Sequence, residues 1–315
     1  MTCAITLRVA ISASLLLSVA GCRPRGLTEG EGYAQVPGGR VWYRVVGSGA
    51  QTPLLVLHGG PGVPSNYLKP LSALADERPV IFYEQLGTGR SDHPADTTLW
   101  RIERFVEELG RVRQELGLTT VHIYGHSWGT MLAVEYMFTR PAGVRSLALG
   151  GPALSAARYR RDDDSLRATL PDSVHSALTR HERAGTCDSP EYQMAMLEYY
   201  RRFFARRQPW SADLDSTVTR IDPSAERTLA GPCGSTAGPL WRYDRTGRLK
   251  EIAVPTLFLV GRHDPSTPAA ARLYQGLTPE SRVEVFDSSG HLPMHDEPER
   301  YVEAMRAFLR SVESR

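Results

Sequence analysis

The chain has 315 residues, of which 41% are hydrophobic and 23% are charged, and its formal net charge at pH 7 is +2. This composition excludes a wholly disordered chain and indicates a protein with a substantial hydrophobic core. The weak net charge argues against a nucleic-acid-binding protein, which would depend on a strongly basic surface.

The first residues predict an export signal over residues 1–21. A single charge, Arg8, precedes an apolar run over residues 9–20, which is too short to span a bilayer because a spanning helix needs about 20 residues. The run ends in Val19-Ala-Gly-Cys22, which resembles the lipobox of bacterial lipoproteins. That resemblance implies a lipid on Cys22, a tether over residues 22–31 and a membrane-anchored protein of the bacterial cell envelope, facing the periplasm or at the cell surface. The alternative is an ordinary signal peptide with an incidental cysteine.

Short apolar runs alternate with helical patterns along the rest of the chain. The runs cover residues 40–46, 54–57, 80–83, 121–124, 144–149, 256–260 and 283–286. Such alternation predicts a parallel sheet with helices on both faces. Residues 154–248 break the alternation, because they are polar, Arg-rich and mostly helical in pattern. We therefore expect a helical cap between two core segments, residues 32–153 and 249–315.

A serine motif, Gly125-His-Ser-Trp-Gly129, lies between a predicted strand and a predicted helix. In that context the motif bends the chain sharply and lifts Ser127 clear of the sheet. Serine becomes a strong nucleophile only when a base removes its proton, so a histidine and an acid must accompany it. Asp264 and His291 each follow a predicted strand, in the chain order that this fold requires. The sequence therefore predicts a catalytic triad of Ser127, Asp264 and His291.

A glycine-rich string, His58-Gly-Gly-Pro-Gly62, follows the first apolar run of the core. Such a loop brings a backbone N–H close to the reacting carbonyl group, so Gly60 and Trp128 are the predicted donors of an oxyanion hole. The histidines show no convincing zinc spacing, and we expect neither a metal nor another cofactor.

These motifs resemble those of the α/β-hydrolases of the prolyl aminopeptidase (proline iminopeptidase) type. The resemblance extends over residues 33–309 and includes Tyr83-Glu-Gln-Leu-Gly-Thr-Gly-Arg-Ser91, Gly261-Arg-His-Asp264, Pro190-Glu-Tyr-Gln193 and Glu198-Tyr-Tyr-Arg-Arg202. It implies an α/β-hydrolase fold with an inserted helical cap. It also implies metal-free release of an N-terminal residue, often proline, from short peptides through an acyl-enzyme.

The sequence departs from this family where the family binds the free amine of the substrate. Relatives carry one Glu beside the triad Asp and another on the cap after a Gly-Pro pair, whereas this chain has Pro265 and either Cys233 or Gly234. A desolvated ammonium group needs a paired carboxylate. Either another acid takes the role, or the substrate has no free amine. The candidate acids are Glu84, Glu191 and Glu198, and Tyr199 and Tyr200 are expected to close the pocket.

Two alternatives to a peptidase therefore stay open. One is an esterase, lactonase or amidase that uses the same triad on a small-molecule substrate. The other is a non-catalytic lipoprotein that uses the fold for binding. Cys187 and Cys233 are expected in an oxidising compartment, where they either form a disulfide or remain two free buried thiols.

Overall fold

The computed structural model describes residues 27–234 and 238–315. The predicted signal, Cys22 and most of the predicted tether lie outside these residues. In the described part of the chain, eight strands form one sheet in the order β1-β2-β4-β3-β5-β6-β7-β8. The strands are β1 (Gly30–Val36), β2 (Gly39–Val46), β3 (Leu54–Leu57), β4 (Val80–Tyr83), β5 (Val121–His126), β6 (Val144–Gly150), β7 (Thr256–Gly261) and β8 (Ser281–Phe286).

The sheet is parallel from β4 to β8, and only β1 and β2 run antiparallel to their neighbours. The sequence pattern does not indicate β1, and its first two residues fall within the predicted tether. In the structure Gly30 pairs with Val45 and Glu31 with Arg44. This strand carries no apolar run because it lies at the edge of the sheet with most of its side chains partly or fully exposed.

Helices cover both faces of the sheet, as the alternating pattern predicts. One face packs against α1 (Ile102–Glu115), α2 (Trp128–Phe138) and α8 (Pro268–Leu277). The other packs against a 3₁₀ segment (Ser65–Leu74) and α10 (Pro298–Glu313), which follows the short α9 (Pro293–Asp296). Strands covered on both faces have no solvent side, so β3 and β4 are buried at every position.

The chain between β6 and β7 contains helices and no strand among its described residues. These are α3 (Ala156–Arg167), α4 (Asp172–Ala184), α5 (Pro190–Phe203), α6 (Ala212–Val218) and α7 (Pro223–Leu229), followed by 3₁₀ segments. These helices lie within residues 154–248, the segment for which the sequence predicts a helical cap. Helices α4 and α5 share a small core of their own, which includes Leu178, Tyr192 and Tyr199.

The sulfur atoms of Cys187 and Cys233 form a disulfide bond in the structure. The bond joins the turn between α4 and α5 to the turn that follows α7, so it ties two parts of the cap together. Among the helices that the structure describes, none has both the length and the apolar character of a membrane span.

Candidate active site

Ser127 occupies a sharp turn between the end of β5 and the start of α2. Its backbone has φ 54° and ψ −117°, a region that non-glycine residues avoid. The turn is tight enough that a Cβ on Gly125 would lie 2.3 Å from the Gly129 carbonyl oxygen, and one on Gly129 would lie 2.4 Å from the Leu57 oxygen. Both glycines of the motif are therefore sterically required, and the strain presents the serine hydroxyl at the end of the sheet.

Asp264 and His291 meet beside this turn although 27 residues separate them. Asp264 lies in the loop after β7 and His291 in the loop after β8, and Asp264 Oδ1 is 2.8 Å from His291 Nδ1. The two residues are 0% and 2% exposed, and the N–H of Ser266 donates a second hydrogen bond to Asp264 Oδ1. The carboxylate accepts from Nδ1–H, so Nε2 is left to act as a base. His291 and Ser127 line the same cavity.

The glycine-rich loop approaches Ser127 from β3. His58 fixes this loop, because its Nε2 accepts from the Gln85 N–H at 2.9 Å and its Nδ1–H therefore donates to the Gly59 oxygen at 2.8 Å. Burial lowers the pKa of His58 to about 4, which keeps the ring neutral as this pattern requires. In the part of the chain that the structure describes, the N–H groups of Gly60 and Trp128 donate to no protein acceptor. Both donors are available to a bound oxyanion.

A hydrogen-bonded chain that no sequence motif indicates connects this loop to the triad histidine. The N–H of Gly59 donates to the Tyr67 oxygen at 2.7 Å, and the Tyr67 O–H donates to His126 Nδ1 at 3.0 Å. His126 Nε2–H then donates to the carbonyl of His291 at 2.9 Å. The carbonyl of His291 can only accept, so the proton of the His126 ring lies on Nε2. Burial holds the pKa of His126 well below its ordinary value. The sequence offers no signal for this network, because Tyr67 lies in a 3₁₀ segment without a motif.

Two cavities meet at Ser127 and Gly60. The first, here called the charged chamber, lies between Trp128 and the cap helices α3, α5 and α7. Its charged lining residues are Arg160, Asp163, Arg167 and Glu226. The second, here called the apolar chamber, extends past His291 toward α6.

Two of the five predicted substrate residues face these cavities and three do not. Tyr199 lines the charged chamber, and Tyr200 lines both. Glu84 is buried in the loop after β4, where its carboxylate accepts from the Ser65 hydroxyl at 3.1 Å and from a backbone N–H. Glu84 therefore shapes a loop and lines neither cavity.

The other two acids, which both lie on α5, point away from the site. Glu191 is exposed and pairs with Arg180 at 2.5 Å and with His181, and Glu198 pairs with Arg202 at 2.6 Å. Neither belongs to the lining of a cavity that contains Ser127. One helix thus carries residues that face the site and residues that face solvent, and these two acids belong to the second group.

The two acids that do line the charged chamber, Asp163 and Glu226, carry no signal in the sequence. Asp163 pairs with Arg167 at 2.8 Å and accepts a hydrogen bond from the Tyr199 hydroxyl. Glu226 makes no hydrogen bond or ion pair through its carboxylate to any residue that the structure describes, and burial raises its pKa. Within the same described ranges, no cluster of three or more His, Cys, Asp or Glu side chains is arranged to hold a metal ion.

Comparison with known proteins assigns the chain to a family. Residues 52–298 match the family model described as the alpha/beta hydrolase fold. A proline iminopeptidase of Heyndrickxia coagulans is 44% identical over 287 residues, which are 90% of this chain and 99% of that protein.

Solved structures give the same result. The crystal structure of proline iminopeptidase from Mycobacterium smegmatis is 33% identical with a TM-score of 0.83, over 90% of this chain and 98% of that one. The crystal structure of VinJ is 36% identical with a TM-score of 0.86, over 90% of this chain and 99% of that one. The chain therefore belongs to the α/β-hydrolase family, in the group that contains the proline iminopeptidases.

Proposed function

We propose that this protein is a serine aminopeptidase that releases N-terminal residues, proline among them, from short peptides. The similarity to proline iminopeptidases over nine-tenths of the chain supports this proposal. The observation that carries it is the contact between Asp264 and His291 beside the strained turn of Ser127. No cofactor is needed for this chemistry, because the chain itself supplies nucleophile, base and oxyanion donors.

The reaction proceeds in two acyl-transfer steps. Ser127 Oγ attacks the peptide carbonyl while His291 Nε2 takes its proton, and Asp264 stabilises the resulting imidazolium. The N–H groups of Gly60 and Trp128 hold the oxyanion, a contribution that typically amounts to about 3 kcal/mol for each donor. His291 next protonates the leaving nitrogen, and then activates the water molecule that releases the acyl group.

Glu226 is the carboxylate that would pair with the free α-ammonium of the substrate. An ammonium group enters a buried site only where an opposite charge compensates for its lost hydration. Asp163 is already paired with Arg167, whereas Glu226 has no cation paired with it among the described residues. Glu226 thus replaces the three acids suggested by the sequence.

Helix α7 fixes Glu226 relative to the oxyanion loop. Asp222 caps this helix by accepting from the Ser224 N–H at 2.9 Å. The backbone N–H of Asp222 donates to the Gly62 oxygen at 2.9 Å, and its carboxylate contacts His93 at 2.8 Å. The ammonium site and the oxyanion hole are therefore parts of one connected structure.

Paired substrates test this function. Wild-type protein should hydrolyse prolyl arylamide, and N-acetylation of the proline should abolish most of the rate. Glu226→Gln should lower kcat/KM for the free-amine substrate by roughly 10- to 150-fold, because a hydrogen bond to a charged group contributes about 1.5–3 kcal/mol. Glu198→Gln is the matched control on the same cap and should behave as wild type. Equal rates on free and blocked substrates would instead identify an esterase or amidase.

We also propose that the protein is exported and anchored to a membrane through lipid on Cys22. The lipobox-like string that ends in this cysteine is the support. In a bacterial host, wild type should incorporate labelled fatty acid and sediment with membranes. Cys22→Ser should do neither, whereas an ordinary secreted protein would be unlabelled in both forms.

A further inference from the structure

The apolar chamber differs in chemistry from the charged chamber on the other side of Ser127. Among its described lining residues none carries a carboxylate, an ammonium or a guanidinium group. The cap contributes apolar side chains to its lining, namely Phe204, which packs against His291, and Trp210, Leu214, Val218 and Ile221. Phe204 and Ile221 also line the charged chamber. A surface of this kind binds apolar groups and disfavours charged ones, which would lose their hydration there.

Two of these residues are apolar where the protein itself does not require it. Val218 and Ile221 are 41% and 37% exposed, so neither is needed to fill the core. Val218 is the last residue of α6, and Ile221 lies just beyond it. The same helix also carries Asp213 and Asp215. The cap thus presents apolar side chains to the chamber within a segment that is otherwise polar.

The chemistry of acyl transfer determines which part of a substrate enters this chamber. When the C–N bond breaks and the bond from acyl carbon to Ser127 Oγ forms, the proton that left Ser127 passes through His291 to the leaving nitrogen. The leaving group must therefore lie on the side of His291. His291 lines the apolar chamber, whereas Trp128 and Glu226 line the charged chamber.

We propose that the apolar chamber binds the residue that follows the scissile bond, and that it selects substrates in which this residue is large, apolar and uncharged. This inference rests on the proposed function, which places the α-ammonium of the first residue in the charged chamber. The substrate class is then a short peptide with a free N-terminal amine and an apolar second residue. The apolar side chain leaves water as the peptide binds, which stabilises the complex.

A series of prolyl dipeptide amides tests the proposal, with Leu, Phe, Asp or Lys as the second residue. For the wild type, kcat/KM should be at least about tenfold higher for Leu and Phe than for Asp and Lys, given the free energy of burying one apolar side chain. Equal values for the four substrates, or a preference for the charged ones, would overturn the proposal.

A charge placed in the chamber provides the second measurement. Val218→Asp should lower kcat/KM for prolyl-leucine amide and raise the Lys-to-Leu ratio by about tenfold or more. Leu273→Asp is the matched control, because this side chain on α8 is 42% exposed and does not line the chamber. It should keep the wild-type ratio. An unchanged ratio in Val218→Asp would contradict the assignment of the chamber.

The test separates this inference from the proposed function. If the wild type cleaves prolyl peptides without preference at the second residue, the function stands and the chamber assignment fails. If it cleaves esters and no peptide, the proposed function fails. The chamber is then tested with acetate esters of butanol and of ethanolamine, where the butyl ester should be hydrolysed at least about tenfold faster. Equal rates would overturn the assignment there too.

Discussion

Replacing Tyr67 by Phe removes a single oxygen atom that links the oxyanion loop to the triad. That oxygen accepts from the Gly59 N–H at 2.7 Å and donates to His126 Nδ1 at 3.0 Å. Tyr67 and His126 are almost fully buried although both line the apolar chamber, so water replaces the lost partners poorly. Each net hydrogen bond contributes about 1 kcal/mol, and each stranded buried group costs about 1–3 kcal/mol. We expect Tyr67→Phe to lower the free energy of unfolding by about 2–4 kcal/mol.

The same change should lower kcat by about tenfold with a smaller effect on KM. Gly59 precedes Gly60, the proposed oxyanion donor, and complete loss of one such donor costs about 3 kcal/mol, so a loosened loop should lose part of that. The pH dependence of kcat should not move, because the contact between His291 and Asp264 stays intact.

Urea unfolding and steady-state kinetics on one free-amine arylamide measure the two effects. Tyr136→Phe is the matched control, since Tyr136 is also buried and its hydroxyl accepts from Arg113 at 2.8 Å, at the far end of α2 from Ser127. It should lose stability and keep the wild-type kcat. If Tyr67→Phe lost stability but likewise kept the wild-type kcat, the network would be structural only and our reasoning would be refuted.

Three further predictions concern the acid, the buried histidines and the disulfide. Asp264→Asn should lower kcat by about 10³- to 10⁴-fold with little change in KM, since the amide no longer supports the imidazolium; a loss below tenfold would contradict its role. Burial lowers the pKa of His58 and of His122 from 6.5 to about 4. Between these two pH values the unfolded chain binds more protons at these histidines than the folded chain does. Their contribution to the free energy of unfolding is therefore fully present above pH 6.5. It should fall by up to about 3 kcal/mol per histidine toward pH 4, and equal urea midpoints at pH 7 and pH 5 would refute this. Mass mapping without reduction should recover Cys187 and Cys233 in one linked peptide pair, and replacing both by Ser should cost up to about 4 kcal/mol for a loop of 46 residues. Separate thiol peptides would contradict the bond.

The sequence was sufficient for the parts of the site that depend on local pattern. The turn around Ser127 needs two glycines within five residues, and the positions of Asp264 and His291 follow from the rule that parallel strands end at one edge of the sheet. The sheet itself was predictable wherever a strand is buried on both faces. β1 was not, because an exposed edge strand needs no apolar run.

The substrate cavities depend on how the cap packs, which no local pattern encodes. Glu226 and Ser127 are far apart in the chain, and they line one cavity only because α7 rests on the oxyanion loop at Gly62. Glu191 and Glu198 lie on α5 beside residues that do face the cavity, but on its solvent side. An acid near a motif is therefore a weak indication of a binding site unless the face of its helix is known.

The most direct test of the account is the turnover of prolyl arylamide by purified wild type and by Ser127→Ala, with the stability of both proteins measured alongside. The account predicts that the variant unfolds at the same urea concentration as the wild type. It also predicts that the variant retains less than about one thousandth of the wild-type rate. A folded variant that retains more than this fraction would contradict the assignment of Ser127 as the nucleophile.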